Sequence, residues 1–492
     1  MIERKTGILS QLQPLELLDL SKRSTVSEIV EGMKSCSFGA RMLGEAADTL
    51  KDWVNTGRKP YLVTDISRES PLRPLLKNMC HRNWFAGPFT TEEFLRCTHG
   101  MVVDKALVVG HAEYDEGALY RKCERALYVN AEGRCKPGQV KDGYFPDVVF
   151  SAPEVVLPIL ELTLDERIKG MAHPTADLMR NLEKYGGEAK RLVHGAHTLS
   201  AMLCDQTCTM VMSLSGAMTI AKMQLLIDDL INTGRLSFIA STGALMAHGL
   251  IEGSGCRHYK YDPRNTDDEL VAEGLNRVTD TIEPESNFDH IEEIVSAVFE
   301  GYDGSAPIST HQFHHDLGKY LVEHYPEARA LLASAFRKDV RIAVPAWTDS
   351  ELGNDLLVFN RRRRNAGKLC INVVPELDTD LAFEISRQAE RMGIFTIGGG
   401  VPRNWLQNLK PLEDIHNARL GIERKAIPYF YGCRIDPAPM HFGNLSGCTY
   451  VEGVSWGKFD SKGKLAEVHL DATIAWPFTQ KFATERYYAQ AA

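Results

Sequence analysis

Residues 208–244 read CTMVMSLSGAMTIAKMQLLIDDLINTGRLSFIASTGA, and their pattern decides the fold. Cys208 to Leu214 is a short apolar run closed by Ser215-Gly216, which reads as a buried strand. Met223 to Ile231 places apolar residues at helical spacing, and Thr233-Gly234 supplies the turn that ends it. Leu236 to Ser241 is then a second buried strand. Strand, helix and strand in this order make a βαβ unit, whose two strands run parallel.

The same alternation extends outward. The capping box Thr25-Val-Ser-Glu28 opens one helix, Ser37 to Ala46 continues as a second, and Tyr61 to Thr64 follows as a strand. Further units run through Val340 to Pro345 and through Ile394 to Gly400, with a helix expected from Asn404. An α/β chain with a parallel sheet and helices on both faces follows from this pattern. Three strand-end turns are built of small residues: Ser215 to Thr219, Ser241 to Ala244, and Gly398-Gly-Gly400. Such turns let a ligand approach the backbone, and the helix start after each favours an anion. None has the GxGxxG spacing, but together they line one crevice and suggest a nucleotide site.

Length and composition set bounds. The chain has 492 residues, a soft prior of about three domains. With 44% hydrophobic and 25% charged residues it is neither disordered nor fibrous. Lys and Arg number 56 against 65 Asp and Glu, and a net charge of −9 argues against a bulk nucleic-acid binder. The opening MIERKTGILSQLQPLELLDLSK lacks the apolar core of a secretory signal, and no run approaches the ~20 apolar residues of a membrane helix. Eleven cysteines, an odd number, read as free thiols in a reducing cytoplasm.

Two histidine and cysteine scatters, Cys80, His81, Cys97, His99 and His111, and His311, His314, His315 and Asp316, fit no compact metal template, so no metal is expected. Arg361 to Arg364 reads as a solvated loop after a strand. ARMLGEAADTL at 40–50 lies over AKRLVHGAHTL at 189–199 with five identities and an offset of 149. This divides the chain into residues 1–57, a helical part of the core domain; 58–206, an insertion or degenerate partial duplication; and 207–492, the catalytic and cofactor-binding domain.

Gly453-Val-Ser-Trp-Gly-Lys458 is the most informative chemical stretch. Burial of a lysine beside an indole lowers its pKa, the condition for an amine nucleophile that forms imines, and Gly457 lets a substrate come close. On the residues alone, a surface lysine beside a core tryptophan remains the alternative.

That segment resembles the active-site motif of the deoxyhypusine synthase family. Other segments follow the family's order: Leu18 to Lys22, Thr25 to Val30, Ser37 to Ala46, Ser215 to Ala244, Asn276-Arg277 with Glu283-Pro284, Pro345 to Gly353, Ile397 to Val401, and Asp471-Ala472. The resemblance covers roughly residues 18–57 and 207–490. It implies a Rossmann-like NAD-binding fold in a homotetramer, with sites between paired subunits. It further implies that NAD takes a hydride from spermidine, that 1,3-diaminopropane leaves, and that the butylamine moiety passes through a lysine imine to an acceptor amine.

By the same resemblance Lys458 is the imine lysine, Trp456 packs along its methylene chain, and Glu452 holds an ammonium. Gly216, Ala217, Met218, Thr219, Ile220, Thr242, Gly243, Ala244, Asp349, Gly399, Asp471 and Ala472 contact NAD. Asn408, Gly443 and Asn444 belong to the implied polyamine pocket. Four positions depart from the family pattern. His248 stands for an acid and can still move a proton. Asn354 replaces an aspartate, Leu445 replaces an acid three residues past Phe442, and Asn404 replaces a histidine. Fewer anions weaken the grip on a polycation. Asn404 and Leu445 look more like the bacterial branch, which includes homospermidine-synthase-like members that use putrescine. The acceptor therefore stays open between a protein lysine and a free diamine, and an NAD-binding regulatory protein without transfer is the alternative of another class.

Overall fold

A computed structural model describes residues 7–110, 119, 121–131, 144, 146–441 and 445–491. β1 (Tyr61–Thr64), β2 (Ala86–Phe89), β3 (Val103–Val109), β4 (Cys123–Asn130) and β5 (Val148–Phe150) form a five-stranded parallel sheet in the order β2-β1-β3-β4-β5. β6 (Cys208–Leu214) and β7 (Leu236–Ala240) come next, and β8 (Tyr259–Lys260), β9 (Leu275–Val278) and β10 (Thr281–Pro284) make a small antiparallel sheet. β11 (Arg341–Ala343), β12 (Arg391–Ile397), β13 (Tyr429–Ile435) and β14 (Phe459–Val468) join β6 and β7 in a six-stranded parallel sheet ordered β11-β7-β6-β12-β13-β14.

In chain order, the strands of that sheet lie 3-2-1-4-5-6, the doubly wound arrangement of Rossmann-like folds. The strand order reverses between β6 and β12, which pair residue for residue from Cys208 with Arg391 to Leu214 with Ile397. Both strands are buried along nearly their whole length, which is why they read as apolar runs rather than alternating ones. The two buried polar residues within them, Ser213 and Thr396, share a 2.8 Å hydroxyl bond.

The local elements match their sequence signals. Thr25 and Glu28 close the capping box at the head of the Val26–Met33 helix, and Gly234 takes the left-handed φ of +69° in the turn before β7. Two expectations are corrected. The helix after the triple glycine begins at Gly400, not Asn404, because Pro402 fits in a first turn where its missing N–H costs nothing. Arg361 to Arg364 form no loop after a strand: they lie in the helix Glu351–Asn365, the last three in its final turn, where cations meet the negative helix end. Arg363 is buried there and donates to the carbonyls of Leu369 (2.6 Å) and Asp303 (2.8 Å), and Arg362 pairs with Glu292 at 2.7 Å.

The helices Phe38–Asn55 and Gly187–Cys204, which carry the internal similarity, are both 18 residues long and stand 149 residues apart at each end. Each leads into the first strand in chain order of a parallel sheet, β1 or β6. Each also packs on the helix that follows its sheet's last strand, Pro153–Lys169 or Ala472–Ala491. Those two helices share an internal proline, Pro158 and Pro477, and at equal spacing beyond it Glu166-Arg167 and Glu485-Arg486. Removing β11 from the larger sheet leaves the strand order of the smaller one.

Among the described residues the ten cysteines are free, and no helix is long and apolar enough to cross a membrane. The Phe38–Asn55 helix is tied to the β9–β10 hairpin and to the Ala472–Ala491 helix through buried polar contacts. Arg41, fully buried, donates from Nε to Asp280 at 2.7 Å; Phe38 N–H donates to the same carboxylate at 2.9 Å; and Ala40 N–H donates to Thr473 Oγ1 at 2.9 Å. Removing one member of a buried pair leaves the other charge uncompensated. Asp280→Ala is therefore expected to cost about 3 kcal/mol or more in denaturant unfolding, while Glu45→Ala, on the exposed side of Arg41, costs about 1 kcal/mol or less.

Candidate active site at the strand ends

At the reversal point the turns after β6 and β12 are stitched together. Ser215 N–H donates to Ile397 O at 3.0 Å, and Gly399 N–H donates to Ser215 Oγ at 2.9 Å. The approach leaves no room for side chains: a Cβ on Gly398 would sit 2.4 Å from Ser215 Oγ, and one on Gly399 would sit 2.5 Å from Ser446 Oγ. Gly216 and Gly400 hold left-handed φ values of +78° and +71°. Beside them Thr242 caps the helix Gly243–Gly253, and Thr219 Oγ1 donates to Leu245 O at 3.1 Å, joining the 216–220 turn to that helix.

Because the sheet is parallel, every expected cofactor residue falls at one edge. Gly216 to Ile220 follow β6, Thr242 to Ala244 follow β7, Asp349 sits exposed in the turn after β11, and Gly399 follows β12. Asp471 and Ala472 follow β14, where Asp471 accepts from the N–H and hydroxyl of Thr473 at 2.6 and 2.7 Å. Burial raises the Asp471 pKa despite those bonds. Two helix starts with small residues at the same edge are the donor set a dinucleotide diphosphate needs, so this crevice fits NAD.

Gly400 also lines a second space, a cavity of about 310 Å³ bounded by Arg403, Asn404, Asn408, Glu452, Trp456 and Lys458. The short helix Tyr450–Ser455, capped by Thr449, presents Glu452, and Gly457 at φ +71° turns the chain so that Lys458 enters the cavity just before β14. Lys458 Nζ donates to Asn404 Oδ1 at 3.2 Å and lies 5.8 Å from the Trp456 ring centre. Burial pulls the Lys458 pKa below the usual lysine range, and the Arg403 guanidinium pulls the same way.

The structure thus brings Lys458, Glu452, Trp456, Asn404 and Asn408 together. Trp456 is no core residue: 67% of it is exposed, and its indole forms a wall of an open cavity. His248 does not line this cavity; it lies on the Gly243–Gly253 helix, with Nδ1 3.1 Å from Glu283 Oε2. Asn354 is exposed on the Glu351–Asn365 helix, and Leu445 opens a short 3-10 turn. Gly443, Asn444, Phe442 and His111 lie outside the described residues. The 311–316 group is held structurally: His314 is buried with Nδ1 2.6 Å from Thr310 O, and His311 Nδ1 accepts from Ile342 N–H at 3.3 Å.

Sequence reasoning missed Gln407, Cys448, Thr449 and Gly453 of this lining and, most consequentially, Arg403, although it follows the triple glycine by three positions. It is buried and donates to the carbonyls of Ser446 (3.0 Å) and Cys448, while Arg434 donates to the same two carbonyls at 2.7 and 2.9 Å. The two guanidiniums hold the 446–448 segment at the wall of the cavity, and Arg403 keeps positive charge near Lys458. As pH rises, Lys458 is expected to lose its proton, and so become reactive, before ordinary surface lysines. In reductive methylation followed by peptide mapping, Arg403→Met is expected to move that labelling threshold upward, because a like charge is removed.

Comparison with known proteins agrees with this geometry. The deoxyhypusine synthase family model matches residues 177–481, a span that includes the Gly187–Cys204 helix and β6 to β14. "Probable deoxyhypusine synthase 2" of Methanosarcina acetivorans is 33% identical over 302 residues, 61% of this chain and 84% of that protein. Its namesake in Archaeoglobus fulgidus is 30% identical over 297 residues, 60% of this chain and 93% of that protein. "Deoxyhypusine synthase-like protein" of Chlorobaculum tepidum is 26% identical over 312 residues, 63% and 86% of the two chains. A solved chain from Entamoeba histolytica, provisionally assigned as a deoxyhypusine synthase, aligns at 14% identity and a TM-score of 0.42 over 65% of this chain and 94% of its own. The chain belongs to the deoxyhypusine synthase family.

Proposed function

We propose that this protein is an NAD-dependent aminobutyl transferase that moves the 4-aminobutyl group of spermidine through an imine on Lys458 to an acceptor amine. The observation that carries the reading is the position of Lys458: half-buried, held by Asn404, with its pKa lowered beside Arg403, in a cavity that shares the Gly398 to Gly400 turn with the nucleotide crevice. When bound, NAD supplies the hydride acceptor and later the hydride donor. The neutral Lys458 amine adds to the carbon of the oxidised donor, 1,3-diaminopropane leaves with the proton that Lys458 gives up, and the acceptor amine then displaces Lys458. Glu452 faces the cationic chain, and Trp456 offers it an aromatic wall.

Among the described residues Glu452 is the one carboxylate lining this cavity. Together with Asn404, which occupies the expected histidine position, this favours a second reading, a homospermidine synthase with putrescine as acceptor. An NAD-binding protein without transfer remains a third and predicts tight nucleotide binding with no spermidine-dependent NADH signal. The cavity is flanked by exposed Val401, Val451, Trp456 and Met440, which supports closure of the site against a second copy, in a homotetramer. Free thiols throughout support a cytoplasmic setting. The matched helices, prolines and strand order support residues 58–206 as a partial duplication rather than an unrelated insertion.

Four outcomes test these proposals. Lys458→Ala is expected to transfer no label from spermidine to any acceptor while still binding NAD, and Gly399→Ala to lose NAD binding, because its Cβ collides with Ser446. Incubation with spermidine, NAD and putrescine yields homospermidine under the small-molecule reading and none under strict protein modification. Light scattering is expected to give an oligomer that Val401→Asp with Val451→Asp weakens.

A further inference from the structure

Three side chains that the cavity around Lys458 does not use meet from three different elements. His248 comes from the Gly243–Gly253 helix, His258 from the residue before β8, and Glu283 from β10. All three are buried, and none belongs to the cysteine and histidine scatters of the sequence. Glu283 Oε2 lies 3.1 Å from His248 Nδ1 and touches His258 Nε2, and one ligand atom of each residue sits within 4.8 Å of the other two. Ligand bonds of about 2.0–2.2 Å put neighbouring donors of a tetrahedral zinc ion roughly 3.4 Å apart, so this spacing closes around one ion.

The surrounding groups orient these donors. Glu252 Oε1 is 2.6 Å from His258 Nδ1, and the fully buried Lys222 pairs with Glu252, so those two charges cancel. A proton on Nδ1 toward Glu252 leaves the Nε2 lone pair of His258 facing Glu283. Lys222 Nζ also lies 2.9 Å from Nδ1, but if Nδ1 accepted from it, Nε2 would carry the ring proton. Nε2 is buried with no hydrogen-bond partner, because its contact with Glu283 lies outside hydrogen-bond geometry, so a proton there would be left without an acceptor.

Glu283 needs a positive charge. It is 1% exposed, and among the described residues it forms no ion pair with a lysine or arginine. Asn287 donates to its other oxygen and, at 3.0 Å, to Arg257 O, which holds the carboxylate in place without neutralising it. An ion held by both imidazoles supplies that charge and takes the place of a proton shared among the three groups. Two imidazoles and one carboxylate are the donor set of three-ligand zinc sites that keep a fourth position for water. His248 has a tenth of its side chain exposed, which gives ion and water a way in.

We propose that His248, His258 and Glu283 bind a divalent transition-metal ion of the zinc class, with Glu252 orienting His258 and Asn287 orienting Glu283. Bound there, the ion fastens the small antiparallel sheet to the helix that starts at the nucleotide crevice. The site stands independently of the transferase reading, since its ligands, charge and outer partners are all supplied by this chain.

The full chain, stripped with a chelator, is dialysed against zinc chloride alone and then against metal-free buffer, and the retained metal is counted by mass spectrometry. About one equivalent per chain is expected, lost in His258→Ala and in Glu283→Gln and kept when Cys80→Ser is combined with His99→Ala, outside the site. Zinc is expected to raise the melting temperature of the unaltered protein by about 2 °C or more and to leave that of Glu283→Gln unchanged. Cobalt(II) bound in place of zinc is expected to give the visible bands of a tetrahedral ion with no thiolate charge-transfer band, a readout that needs no variant. Unaltered protein that retains no metal and melts at the same temperature with and without zinc overturns the proposal. So does an equivalent that survives Glu283→Gln, or a thiolate band, which would assign the ion to the cysteines. Retention of zinc by a protein that transfers nothing from spermidine supports the metal site and overturns only the transferase reading.

Discussion

The close approach of two turns, Ser215 against Gly398 and Gly399, is the constraint on which the rest of this molecule depends. Strand pairing between β6 and β12 carries the two backbones to the same edge, and glycine at 398 and 399 is what lets them meet. The chain then diverges. On one side lies the crevice at the reversal of strand order, and on the other the Gly400–Gln407 helix carries Arg403 and Asn404 to Lys458. One turn thereby joins the small-residue strand ends of β6 and β12 to the cavity that holds Lys458.

Electrostatics at the two sites run in opposite senses. Around Lys458, burial and the Arg403 guanidinium favour the free amine and outweigh the opposing pull of Glu452. Around His248 the neighbours are the Glu283 carboxylate and the rings of His258 and Phe288.

Features that arise from local chemistry were legible in the sequence. The Thr25 capping box, the Cys208 to Ala244 unit, the turn at Gly234 and the glycines after β12 all follow from residues within a few positions of one another. Features set by distant partners were not. Arg363 reads as part of a polar run, and only the carbonyls of Asp303 and Leu369 explain its burial in a helix. The residues alone leave a core tryptophan as an alternative at 456, and only the structure, where the indole faces an open cavity, removes it. Glu283, His258 and His248 meet from three elements, and no spacing in the chain announces that meeting. The sheet of β1 to β5 was hidden for another reason: apart from Tyr61 to Thr64, its strands carry no turn chemistry or glycine signal like that of the larger sheet.

The central claim is that Lys458 carries the migrating group as an imine, and trapping that imine tests it most directly. Protein incubated with spermidine and NAD is reduced with borohydride, digested and mapped by mass spectrometry. The account predicts an aminobutyl adduct on the peptide containing Lys458 that requires both NAD and spermidine. An adduct confined to another lysine, or transfer proceeding at full rate with Lys458 unmodified, would contradict it.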